Sequence, residues 1–123
     1  MILVDSSVWI DHLRRADEVL TDLLDRKQVV THPFIIGELA LGHLRPRNVV
    51  LSALQDLDRV IVAHDDEVMR LVEQERLFGR GLSYVDVHLL AAVRLTPETS
   101  LWTRDKRLLA AAARLSLAAR VVH

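Results

Sequence analysis

The chain has 123 residues, which fits one domain of ordinary size and leaves no room for two. Half of the residues are apolar and 27% are charged, a balance that excludes the disordered classes and is typical of a globular protein. Cysteine is absent, which excludes disulfides and thiolate metal sites, and the net charge of −1 is unusual for a nucleic-acid enzyme.

Apolar runs and helical patterns alternate along the whole chain. A strand is predicted where β-branched residues cluster, and a helix where apolar residues recur at helical spacing behind a capping residue. In chain order the predicted elements are strand 2–4, helices 8–13 and 17–26, strand 28–31, helices 33–41 and 48–56, strand 59–63, helices 65–78 and 84–95, strand 100–102, a helix capped by Asp105, and a possible strand 121–122.

This alternation predicts a single α/β domain over residues 1–123. We expect a mainly parallel central sheet of four to five strands, flanked by helices on both faces. In such open sheets a ligand site lies at the carboxyl ends of the strands. No uncharged run approaches the ~18 residues of a membrane span. Only residues 1–4 precede the first charge, so we also expect no signal peptide and a cytoplasmic location.

Two of the candidate site acids lie in the first third of the chain. Asp5 directly follows the first predicted strand, where it is equally well interpreted as a helix N-cap. Glu38 has Phe34, Ile35 and Leu41 as its helical neighbours. A carboxylate on such an apolar stripe tends to be buried and then requires a cation; the alternative is an edge position that reaches solvent.

Two further acids begin predicted helices in the second half. Asp86 has the spacing of a capping box with Ser83 and shares a helix face with Leu89. Asp105 follows the strand that ends at Trp102 and suits an N-cap position. An acid can cap a helix and also belong to a ligand site, because ligand sites of parallel sheets form where a strand ends and the next helix begins.

Acids gathered at one edge would repel one another unless a cation neutralises them. Ligands that are all oxygen favour Mg²⁺ or Mn²⁺ over zinc, and such ions activate water and stabilise charge in phosphodiester displacement. Competing signatures are missing: the sequence has no phosphate-binding loop of the GxxxxGK[ST] type, no GxSxG elbow and no HExxH pair.

Four segments, taken together and in order, resemble the PIN-domain nucleases, and in particular the VapC-like toxins of toxin–antitoxin pairs. These segments are residues 2–9 (ILVDSSVW), 36–42 (IGELALG), 82–86 (LSYVD) and 101–108 (LWTRDKRL). The resemblance covers essentially the whole chain.

The resemblance implies a set of site residues and an activity. Asp5, Glu38, Asp86 and Asp105 would form an acidic site that binds Mg²⁺ or Mn²⁺, supported by the hydroxyls of Ser7 and Thr103. The chain would be an endoribonuclease with RNA as its substrate, a homodimer, and the target of a cognate antitoxin protein. We expect Arg80, Arg104 and Arg107 to contact phosphates of the RNA.

Two other interpretations of the sequence compete with this one. The chain could be a non-catalytic α/β module that binds RNA or a partner helix in an apolar groove, formed by Val8, Trp9, Leu13, Leu20 and Leu24. A phosphoacceptor domain would need an aspartate at the end of the third strand, but that predicted strand ends at Ala63 and His64.

Overall fold

The computed structural model describes residues 1–121. The strands are β1 (Ile2–Val4), β2 (Val29–Thr31), β3 (Asp58–Arg59) and β4 (Ser100–Trp102). The helices are α1 (Ser6–Arg14), α2 (Glu18–Asp25), α3 (Pro33–Ala40), α4 (Arg47–Gln55), α5 (Asp65–Gln74), α6 (Tyr84–Leu95) and α7 (Lys106–Arg114).

The strands form one parallel sheet in the order β3-β2-β1-β4. Because all four run in the same direction, their carboxyl ends meet at one edge. β1 and β4 are neighbours, paired from Ile2 with Ser100 to Val4 with Trp102. The backbone N–H of Asp5 extends this pairing, since it donates a 2.9 Å hydrogen bond to the Trp102 carbonyl. The sheet thereby fixes Asp5 beside the segment that follows β4.

Aromatic residues make up only 4% of the chain, and the core is mainly aliphatic, with Trp9 and Trp102 as its buried aromatic residues. Leu3 and Val4 of β1 are fully buried, and α6 is buried on nearly all sides between Val87 and Val93. A helix that is apolar all round must lie inside a protein, which explains its place against the sheet. Within residues 1–121, none of the helices combines the length and the apolar character that a bilayer crossing requires.

Two predicted strands differ from the structure. The third strand was expected at 59–63 but covers only Asp58–Arg59; Ile61 is exposed, and its N–H donates to the Thr96 hydroxyl instead of to a strand. In place of the last predicted strand, Ala118 forms a parallel bridge with Leu101. Val121 lies in no strand, and Val122 is outside the described residues.

Candidate active site

Asp5 stands at the carboxyl end of β1 and is 94% buried, with 6% of its surface exposed. Its side chain makes no capping bond to α1. Instead, the hydroxyls of Ser7 and Thr103 each donate a 2.8 Å hydrogen bond to the same oxygen, Oδ2. Asp5 therefore occupies the N-cap position of α1, as one interpretation predicts, but its carboxylate bonds both predicted supporting hydroxyls and not the helix backbone.

Glu38 lies on α3, but the expectation that it is buried was wrong. The side chain is exposed, which agrees with the alternative of a position that reaches solvent: of its three apolar neighbours, Phe34 and Leu41 also reach the surface, and Ile35 is buried. Partial desolvation still raises the pKa of Glu38. The negative charges of Asp5 and Asp86 raise that pKa further, while the nearby Ser6 hydroxyl opposes the shift.

Asp86 caps its own helix, as the spacing with Ser83 predicts. The Ser83 hydroxyl accepts a hydrogen bond from the Asp86 N–H, and the Asp86 carboxylate accepts one from the Ser83 N–H, both at 3.0 Å. Burial raises the pKa of Asp86 against the effect of these bonds, and the charges of Asp105 and Asp5 raise it as well.

Asp105 is the N-cap of α7. One of its carboxylate oxygens, Oδ1, accepts hydrogen bonds from the backbone N–H groups of Arg107 and Leu108, each at 3.0 Å. Its own N–H donates to the Thr103 hydroxyl at 3.1 Å, so the hydroxyl that contacts Asp5 also positions Asp105.

The structure thus brings the four predicted acids near enough to influence one another's charge. Within residues 1–121 none of the four forms an ion pair with Lys or Arg, so no cationic side chain of this range neutralises them. In the same range, no three acidic or imidazole side chains are already arranged to hold one metal ion. Capping bonds hold Asp86 and Asp105 in their present positions. The all-oxygen donor set nevertheless fits a hard divalent cation.

Arg104, one of the predicted phosphate contacts, forms ion pairs within the chain. Its guanidinium forms ion pairs with Asp11 and Asp17, both at 2.7 Å, and lies over the ring of Trp102 at 5.6 Å. These two carboxylates raise the pKa of Arg104. The backbone N–H of Arg104 also donates to the Ser7 hydroxyl at 3.0 Å. Arg104 therefore ties the segment after β4 to α1 and to the start of α2.

Arg80 and Arg107, the other two predicted phosphate contacts, line a cleft of about 510 Å³ beside α7. Lys106 and Arg114 line the same cleft, and neither was among the phosphate contacts predicted from the sequence. The spacing of Arg107 and Arg114, seven residues apart on one helix, was the available signal.

The apolar groove of the binding-module hypothesis forms only in part. Val8 and Leu20 are fully buried in the core and offer no surface. Trp9, Leu13 and Leu24 do line a cavity of about 290 Å³, together with residues of α4.

A protein family and two named relatives match this chain in sequence. The PIN domain family model matches residues 2–115. The chain is 52% identical over 118 residues to the protein named Ribonuclease VapC32 from each of two strains of Mycobacterium tuberculosis, CDC 1551 / Oshkosh and ATCC 25618 / H37Rv. Each alignment covers 96% of this chain and 95% of the relative. The chain therefore belongs to the PIN-domain family and is VapC-like.

Proposed function

We propose that the chain is a divalent-metal-dependent endoribonuclease that acts as the toxin of a toxin–antitoxin pair. The observation that carries this proposal is the group of four carboxylates, without Lys or Arg partners in residues 1–121, at the carboxyl edge of the sheet. The name of the relatives from Mycobacterium tuberculosis, ribonuclease, supports RNA as the substrate.

Asp5, Glu38 and Asp86 would be the principal ligands of Mg²⁺ or Mn²⁺, and Asp105 would complete the site directly or through water. When bound, such an ion activates water and neutralises the charge that develops on the phosphodiester. The protein's own contribution is orientation: Ser7 and Thr103 hold Oδ2 of Asp5, and neither bond uses the other oxygen, Oδ1, which would be left to contact a cation.

The raised pKa values of Glu38 and Asp86 fit this role, because each of these carboxylates is destabilised in its charged form until a cation arrives. Both groups would stay ionised with a divalent ion bound, because its positive charge favours the carboxylate form. Arg80 and Arg107 would hold phosphates of the RNA outside the acidic group. We give Arg104 a smaller part in RNA binding, because Asp11 and Asp17 already hold its guanidinium.

Cellular partners belong to the same proposal. A toxin requires a cognate antitoxin protein that inhibits it, and we propose that this chain has one. The homodimer and the cytoplasmic location also remain predictions, and they rest on the resemblance to VapC-like toxins.

Cleavage of a mixed cellular RNA pool tests the activity. Purified protein is incubated with RNA and Mg²⁺, Mn²⁺ or EDTA, and fragments are resolved and their ends sequenced. We expect metal-dependent cutting that Glu38→Gln abolishes and that Glu73→Gln, the same change at an exposed position on α5, leaves intact. Equal cutting by the wild type and Glu38→Gln would contradict the assigned site.

The alternative function is a module that binds without turnover. The cavity beside Trp9 and Leu13 favours it, since a partner helix could place apolar side chains there. The cleavage assay separates the two functions. A protein that is free of bound antitoxin and cuts no RNA with either metal ion would not be the nuclease. Binding of a partner by that protein would then identify it as the module.

A further inference from the structure

A second charged feature lies beside the acidic site, and its sign is opposite. The cleft of about 510 Å³ is lined by Arg80, Lys106, Arg107, Ala110, Ala111 and Arg114. Six residues form this lining; four carry a positive charge and none carries a negative one. The net charge of −1 therefore hides a strong local separation of charge.

The geometry of α7 builds the floor of this cleft. Arg107, Ala110, Ala111 and Arg114 follow the i, i+3, i+4, i+7 spacing that places residues on one helix face. The two alanines are too small to fill the space between the arginines. Arg107 and Arg114 are seven residues apart, so they lie about 10 Å apart along the helix axis.

Backbone contacts position three of the four cations. Nε of Arg80 donates to the Arg76 carbonyl at 2.8 Å, and Nη2 of Arg114 donates to the Glu75 carbonyl at 2.6 Å. Arg107 packs on Gly81, where an added Cβ would lie only 2.6 Å from Nη1. The absence of a side chain at Gly81 thus leaves the space that the Arg107 guanidinium occupies.

These contacts orient the guanidinium groups and leave their charges uncompensated. Within residues 1–121, no carboxylate forms an ion pair with Arg80, Lys106, Arg107 or Arg114. The carboxylate of Glu75, whose carbonyl accepts from Arg114, is already paired with Arg94 at 3.2 Å. Several like charges held in one concave surface attract an anion with more than one negative group.

The position of the cleft indicates which anion. Lys106 and Arg107 directly follow Asp105, so the cleft begins where the acidic group ends. We propose that this basic cleft binds the phosphate backbone of single-stranded RNA next to the cleaved bond and leads the strand along α7. The proposal rests on the proposed ribonuclease function and adds Lys106 and Arg114 to the substrate contacts.

The RNA backbone suits the cleft better than an acidic polypeptide does. Phosphates repeat along a strand at a regular spacing, and two arginines at fixed separation on a helix can each take one. A base-specific contact is not needed, so this surface provides affinity and direction more than sequence choice.

Salt-dependent RNA binding in EDTA tests the proposal without any cleavage. The anisotropy of a short labelled single-stranded RNA is measured over a series of NaCl concentrations. We compare the wild type with a cleft variant, R80Q/R107Q/R114Q, and with a control, R15Q/R26Q/R45Q. The control removes the same three positive charges, but at exposed positions elsewhere. Removing three phosphate contacts should reduce the slope of log K against log [salt] by about 2, since each single-strand contact contributes roughly 0.7.

The control variant should keep a slope closer to that of the wild type. A cleft variant that retains the wild-type slope overturns the proposal, and so does a wild type that binds no RNA at low salt. Loss of polyglutamate binding with unchanged RNA binding would also overturn it, and would assign the cleft to an acidic polypeptide. If the triple variant unfolds, K106Q/R107Q keeps the carbonyl contacts of Arg80 and Arg114 and should lower the slope by roughly 1.4.

The two proposals fail separately. If the wild type cleaves RNA but the cleft variant keeps the wild-type salt slope, the ribonuclease proposal stands and the cleft proposal is wrong. If the cleft variant has the smaller salt slope but the wild type cleaves no RNA, the cleft is an RNA-binding surface and the ribonuclease proposal is wrong.

Discussion

Thr103 reaches across from the end of β4 and donates a 2.8 Å hydrogen bond to Oδ2 of Asp5 at the end of β1. Thr103 is 96% buried, and its hydroxyl also accepts from the Asp105 N–H, so one side chain connects two of the four acids. A buried charge-assisted hydrogen bond of this kind is stronger than a neutral one.

Thr103→Val removes the hydroxyl and keeps the shape of the side chain. We expect a loss of about 1–3 kcal/mol in the free energy of unfolding, because a buried carboxylate and a backbone N–H lose a partner. Urea unfolding measures it, and RNA cleavage should fall as well. Thr99→Val is the control, since that hydroxyl makes a local surface bond to the Pro97 carbonyl. Equal stability of the two variants would contradict the role of Thr103.

Divalent ions should stabilise the folded protein. An ion that binds only the folded state raises stability by about 2.7 kcal/mol at a hundred times its Kd. Thermal unfolding with Mg²⁺ or Mn²⁺ should therefore show a higher Tm than unfolding in EDTA. Asp5→Asn should remove most of that rise. A wild-type Tm that is the same in Mg²⁺, Mn²⁺ and EDTA would contradict the site.

Glu38→Gln should stabilise the metal-free protein at pH 7. Desolvation and the charges of Asp5 and Asp86 raise the pKa of Glu38, so the fold favours its neutral form. The stability that this gives is present at low pH and is lost as the pH rises above the ordinary value of 4.5. A neutral glutamine avoids the loss, and we expect a rise in Tm of roughly 1–4 °C. A Tm below that of the Glu73→Gln control would contradict it.

His32 should make stability fall in weak acid. Burial lowers the pKa of His32 from 6.5 to about 4, and the charges of His88 and Arg59 add to the effect. The unfolded chain therefore binds a proton before the folded one does, and stability is lost as the pH falls from 6.5 to about 4. The loss is on the order of 3 kcal/mol. Urea unfolding between pH 7 and pH 4 measures it.

His32→Asn is the matched variant for that experiment. The Nδ1 atom of His32 accepts from the Phe34 N–H at the start of α3, and an asparagine oxygen can replace that acceptor without titrating. The variant should show a flatter dependence on pH. An unchanged pH dependence would assign the acid sensitivity to other groups.

Arg104→Gln should affect stability more than RNA binding. The change removes two ion pairs, with Asp11 and Asp17, at a partly exposed position, so we expect a loss of about 1 kcal/mol. RNA affinity in EDTA, compared with the loss on R107Q, decides whether Arg104 also contacts phosphates. A larger loss of affinity for Arg104→Gln than for Arg107→Gln would restore its expected role.

Local pattern predicted most of the elements because buried strands and capped helices leave clear marks in the sequence. Ile2–Val4 and Ser100–Trp102 were predicted with the bounds that the structure shows. The third strand was not, because Ile61 and Val62 have the residue types of a strand but lie exposed beyond the sheet. Residue type alone does not reveal where pairing with a neighbour stops.

The candidate site shows the same division. The four acids could be named from short segments, and the helix caps at Asp86 and Asp105 from spacing. The burial of Asp5 and the exposure of Glu38 could not, since the first depends on the pairing of β1 with β4 and the second on the packing of α3 against α1. The basic cleft joins Arg80 to residues of α7, and no local pattern predicts such a long-range meeting.

The capping bond of Asp86 gives the first turn of α6 a direct link to the state of the site. The oxygen that accepts from the Ser83 N–H is Oδ2, and an ion bound through this oxygen would compete with that amide for its electron density. The hydrogen bond would then be weaker, and the Ser83 amide would exchange its hydrogen with solvent faster. Hydrogen exchange at this one amide can therefore report occupancy of the acidic site in a protein that has no substrate present.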